Sequence, residues 1–112
     1  MVRVPAKTNL VFSTLKRYAS EMRTISYETL AHQTELTAAG VGLQLGYIRD
    51  WCRRRGLPWL NMIAVQKHSR FPGENYLPSG VRFKDADDEM RFWRGLVLQV
   101  LAYDWIHVNF EE

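Results

Sequence analysis

Two basic groups stand out for what their chemistry can do: Arg53-Arg54-Arg55, and Lys67 with His68 and Arg70. Clustered guanidinium and ammonium groups neutralise phosphates, so the chemistry they suggest is contact with a polyanion. Signs of covalent or metal chemistry are weaker. Cys52 is the only cysteine. It follows Val41, Leu45 and Ile48 at spacings of four, three and four, which puts it on one helix face as a small apolar side chain and not as a nucleophile. No intrachain disulfide can form, which fits a reducing compartment. His32, His68 and His107 lack zinc-ligand spacing, and there is no paired cysteine to help them. Asp85, Asp87, Asp88 and Glu89 could hold a divalent ion, but they read better as a helix start, where carboxylates suit the positive end of the dipole. Gly40-Val41-Gly42 falls within a helical stretch and does not follow a strand, so it is not a phosphate-cradling loop. The expectation is a protein that is not an enzyme, with no cofactor and no bound metal.

Charge is distributed unevenly. The 112 residues carry a net +3. Residues 1–60 hold nine Lys or Arg against four Asp or Glu, while residues 61–112 hold six against eight. A balance of +5 in one half and −2 in the other favours a polyanion contact there, set against chance imbalance in a small domain. The length suits one domain, 1–112. The amino terminus lacks the apolar core of a signal peptide, and no apolar run approaches the roughly 18 residues of a membrane span. A soluble cytoplasmic protein is therefore expected.

The elements that would position the basic groups follow from periodicity. Val11, Leu15, Tyr18 and Met22 make a helical stripe in a first helix that begins after Pro5. Thr24-Ile25-Ser26 is a break, with Ser26 able to cap a short second helix at about 27–33 that buries Leu30 and Ala31. Thr34 or Thr37 caps a third helix at about 38–55, closed by Gly56 and Pro58. Residues 60–65 form the best strand candidate, with an imperfect alternation that suggests cover on both sides. Pro72-Gly73 centres a turn, and 81–83 could add a short strand. A last helix, started by residues 85–89, carries Met90, Trp93, Val97, Val100 and Leu101 on one face and is expected to be the most buried. Residues 106–110 alternate as a terminal strand would. The resulting fold class is mainly α with a small β-hairpin (α+β), of winged helix-turn-helix type.

In this arrangement the third helix becomes a reading surface. With Val41, Leu45, Ile48 and Cys52 inward, one flank displays Gly42, Gly46, Arg49 and Arg53, and the outer face displays Tyr47, Asp50 and Arg54. Interior glycines cost about 1 kcal/mol each relative to alanine. Either a partner's backbone approaches there, with the arginines meeting phosphates, or a neighbouring helix of the same chain packs closely and the arginines are only solvated. Lys67, His68 and Arg70 would form the basic wing, or an ordinary hydrophilic turn.

Thr24-Ile25-Ser26-Tyr27-Glu28-Thr29-Leu30-Ala31 resembles the Thr-x-Ser-Tyr-x-x-Leu-Ala segment that opens the winged-helix domain of alkylguanine DNA alkyltransferases and alkyltransferase-like proteins. Val41-Gly42 matches a Val-Gly pair in that family's recognition helix, and Leu57-Pro58 before an apolar strand matches the approach to its active site. The likeness spans about residues 24–75. It implies that Tyr27 contacts DNA and that the third helix faces a groove. Two departures are plain. The family's Pro-Cys-His-Arg motif is replaced within Asn61-Met62-Ile63-Ala64-Val65-Gln66, which has neither Cys nor His, and the family's arginine finger aligns with Ala39. Alkyl transfer is therefore not implied, and base flipping is put in question.

The functional expectation is non-enzymatic, salt-sensitive binding of duplex DNA through Tyr27, Gln44, Tyr47, Arg49, Arg53, Arg54 and Lys67. The alternative is a protein-binding module, such as a phage- or mobile-element-type inhibitor of a larger nucleoprotein complex, docking through exposed Trp51, Trp59 and Tyr76.

Overall fold

The computed structural model describes residues 7–67 and 82–110. Along the chain run α1 (Thr8–Ser20), β1 (Ile25–Ser26), α2 (Tyr27–Thr34), α3 (Ala38–Arg54), a 3-10 turn (Leu60–Ile63), β2 (Ala64–Val65) and α4 (Ala86–Ala102). The protein is mainly helical. Among the described residues no helix is long and apolar enough to cross a membrane.

Each cap follows from a short polar side chain placed one residue before its helix. Ser26 Oγ accepts from the Thr29 amide at 3.0 Å, Thr37 Oγ1 from the Gly40 amide at 3.0 Å, and Asp85 Oδ1 from the Asp88 amide at 2.8 Å. Each satisfies an amide that the helix itself cannot. Thr34 is not a cap: it is buried and its hydroxyl donates to the Leu30 carbonyl.

The three N-terminal helices also stop in one way. Arg23 N–H closes on Tyr18 O, Leu36 N–H on Ala31 O and Leu57 N–H on Cys52 O, at 2.9, 3.0 and 3.0 Å. The residue between helix and closing amide is left-handed in each case: Met22 (φ 57°), Glu35 (φ 57°) and Gly56 (φ 67°). This backbone closure satisfies the last carbonyls and turns the chain sharply, which is how α1, α2 and α3 follow one another across very short connections. Lys7 Nζ adds a cation at the end of α2, donating to the carbonyls of Thr34 and Glu35 at 3.0 and 3.2 Å, where it complements the helix dipole.

The centre of the core is residues 60–65. All six are at most 4 % exposed. The 3-10 turn touches α1, α3 and α4, and β2 pairs with β1. A stretch covered on every side gains nothing from alternating polar positions, which explains the imperfect alternation. The pairing is parallel, Ile25 with Ala64 and Ser26 with Val65. The expected β-hairpin is therefore replaced, among the described residues, by two short parallel strands, and 60–63 is a 3-10 turn, not strand. The 72–73 turn and position 81 of the proposed short strand lie outside the described residues.

The last helix is peripheral. Only Trp93, Val97 and Val100 of α4 are buried, whereas α3 buries six residues. Met90 and Leu101 are half-buried against the core. The indole of Trp93 fixes α4 to the centre by donating to the Met62 carbonyl at 3.1 Å. Residues 106–110 form no strand; Trp105 is buried and Lys16 Nζ donates to the Val108 carbonyl at 2.8 Å.

Two stability outcomes follow. Trp93→Phe removes the indole donor to the Met62 carbonyl, in a buried setting, and should lower stability by about 1–3 kcal/mol in urea unfolding. Met22 is 70 % exposed at its left-handed position, so Met22→Gly should raise stability by about 0.5–1 kcal/mol; a loss would mean that side-chain contacts hold that turn.

Candidate nucleic-acid interface

α3 divides sharply into two faces. Val41, Gln44, Leu45, Ile48, Trp51 and Cys52 are buried. The opposite side shows Ala39, Gly42, Leu43, Gly46, Tyr47, Asp50, Arg53 and Arg54. A Cβ added at Gly42 or at Gly46 would meet nothing within 4 Å. Among the described residues no neighbouring helix uses the room that these glycines leave, so close packing against α1, α2 or α4 is not their reason.

The seven sequence candidates separate into groups. Arg53 and Arg54 are exposed on the outward face, and no carboxylate of the described residues lies within ion-pair distance of either. Tyr47 is half-buried on the same helix. Arg49 is largely covered, and its Nε contacts Asp50 Oδ1 at 3.0 Å, which offsets its charge locally. Lys67 stands apart at the end of β2, 3.4 Å from Glu28, and this exposed pair sets Lys67 beside the start of α2 where Tyr27 lies half-buried against the core. Exposed pairs of this kind contribute little to stability, so Lys67 can exchange Glu28 for another anion. His68 and Arg70 lie outside the described residues.

Gln44 is not on the reading surface. It is 4 % exposed, and the Thr8 hydroxyl donates to its Oε1, tying the start of α1 to α3. A hydroxyl 36 residues away satisfies a polar group whose chemistry suggested the surface, although its spacing, three after Val41 and four before Ile48, places it beside the buried stripe. Trp51 is likewise core: it is 5 % exposed and packs against Phe12 and Phe110, with ring centroids 5.3 and 5.1 Å away. Trp59 is half-buried and Tyr76 lies outside the described residues.

The sequence reading missed Leu43. It is 57 % exposed in the middle of the outward face, between the two glycines. Its signal was available, since an apolar residue off the buried stripe of an amphipathic helix needs some other partner.

Cys52 is fully buried, and burial pushes its thiol up to about 11 from an ordinary 9.0, against a smaller lowering from a hydrogen bond with the Leu60 backbone. A neutral, enclosed thiol is a poor nucleophile. Among the described residues no group of three or more His, Cys, Asp or Glu side chains converges as a metal site. Native protein should therefore leave Cys52 unmodified by a disulfide reagent at mildly alkaline pH and react only after unfolding; rapid labelling of folded protein would contradict that burial. No family model, curated protein or solved structure matches the chain.

Proposed function

We propose that this protein binds duplex DNA without catalysing a reaction, laying the outward face of α3 against the duplex while Lys67 contacts the backbone beside it. The observation that carries the reading is the open space over Gly42 and Gly46 on a face that continues into Arg53 and Arg54. Each glycine lowers helix stability by about 1 kcal/mol relative to alanine, and no contact among the described residues explains that loss. The gaps over Gly42 and Gly46, on either side of exposed Leu43, let a phosphate backbone or groove wall come close, and arginines further along the helix then reach phosphates. The resemblance to alkyltransferases points the same way, assigning α3 to a groove and Tyr27 to DNA. It also marks residues 61–66 as the place of the reactive motif. Here 61–65 are buried and contain neither Cys nor His, which supports binding over group transfer.

The alternative, a module that docks on a nucleoprotein complex through protein contacts, loses Trp51 to the core but gains exposed Leu43. Salt dependence separates the two. Neutralising phosphates makes log K fall with log salt by about 0.9 per phosphate contacted. Fluorescence anisotropy with a labelled duplex should show such a slope, and Arg53→Ala and Arg54→Ala should each reduce its magnitude by about one. Gly46→Leu should abolish binding without unfolding the chain. Absence of binding to any duplex at low salt would exclude the proposal, and unchanged slopes in both arginine variants would place the contact elsewhere.

A further inference from the structure

At the carboxyl end of α3, beyond the outward face, lies an open cleft of about 610 Å³. We propose that this cleft binds one nucleotide unit, a phosphate ester carrying an aromatic base, as a site that adjoins the duplex-facing surface, sharing Arg54 with it but otherwise built from Trp51, Arg55 and residues 107–109.

Its polar lining is one-sided. Arg54 and Arg55 come from the end of α3, and His107 and Asn109 from the C-terminal segment, with Trp51 at the base. No Asp or Glu of the described residues lines it, and none pairs with either arginine. The arginines are also not needed to cap the helix. Three of the last four carbonyls of α3 are already taken by backbone amides: Trp51 O and Cys52 O by Arg55, Arg53 O by Gly56, and Cys52 O again by Leu57. Among the described residues no carboxylate competes with a ligand for the two guanidinium groups.

Both walls are held in place. The Arg55 guanidinium lies 4.5 Å from the centroid of the Trp51 ring, and that ring is wedged against Phe12 and Phe110. The facing wall is pinned by Lys16, which donates to the carbonyls of Ile106 and Val108 at 3.4 and 2.8 Å, and by the buried Trp105 indole, which donates to Val100 O at 2.8 Å. A pre-organised site loses less on binding than one that must be assembled.

The donor set identifies the ligand class. Two adjacent guanidiniums, an imidazole and a carboxamide present more donors than one carboxylate can use, and they suit the oxygens of a phosphate. The cleft is larger than a bare phosphate needs. A guanidinium that lies over an indole ring is a plane on which a second flat ring can stack, as nucleobases stack on arginine planes.

The test is a two-dimensional NMR titration of the full chain with adenosine 5′-monophosphate, and in parallel with adenosine and with inorganic phosphate. The expected result is saturable shifts of the Trp51 indole and the amides of residues 107–109 with the monophosphate, at an affinity at least tenfold above either fragment. Arg55→Gln and, on the tail outside the core, Asn109→Ala should each weaken it severalfold while the remaining signals stay in place. Gly46→Leu should leave it intact even where duplex binding is lost, so the two sites fail independently. No saturable shift at about 10 mM monophosphate, equal binding of phosphate or adenosine alone, or unchanged affinity in both variants would each overturn the site.

Discussion

The structure depends on residues 60–65 being enclosed. Six consecutive residues with almost no exposed surface form an axis that α1, α3 and α4 pack around and that β1 pairs with. A buried backbone must have its polar groups satisfied. Part of that requirement is met by the parallel pairing with Ile25 and Ser26 and part by the Trp93 indole on the Met62 carbonyl. The same enclosure decides which residues face the outside. With the axis sealed, its side chains have almost no contact with solvent, and most of the surface around it belongs to the helices.

α3 is the element through which the axis reaches the surface. Its buried face is set by contact with the 3-10 turn, α1 and α2. Its rotation is then fixed from two ends: by the Thr37 cap with the Thr8–Gln44 contact, and by the closure at Gly56. What remains outside is a strip with two glycines flanking exposed Leu43 at its amino end and rich in guanidinium at its carboxyl end. The left-handed turns at Met22 and Glu35 matter equally, because they bring α1 and α2 beside α3 without long loops.

Much of this was legible in the sequence. The four-three-four spacing through Cys52 gave the buried face of α3, Ser26 read as a cap, and the imperfect alternation over 60–65 pointed to cover on both sides. The parts that were not legible share a physical cause: their partners are distant or their signal is local and weak. β1 is two residues long, too short to display a period of two, so the parallel pairing was hidden behind an expected hairpin. Gln44 looks like a surface reader until Thr8 is placed against it. Met22 extends the α1 stripe by spacing but sits in a left-handed turn with its side chain out. Only one of the three such turns carries the glycine that usually marks them. Of the candidate site, the exposed arginines were readable, as was the position of Leu43 off the buried stripe, whereas the empty space over the glycines needed the packing of the neighbouring helices.

The claim that the outward face of α3 meets the duplex is tested most directly by site-directed photo-crosslinking. Cys52 is buried, so a single added cysteine carries the label: Gly46→Cys on the outward face, and Gln99→Cys on the exposed side of α4 as the control. The account predicts a covalent adduct with duplex DNA from position 46, diminished by salt, and none above background from position 99. An adduct from 99 and not from 46, or equal yields from both, would contradict it.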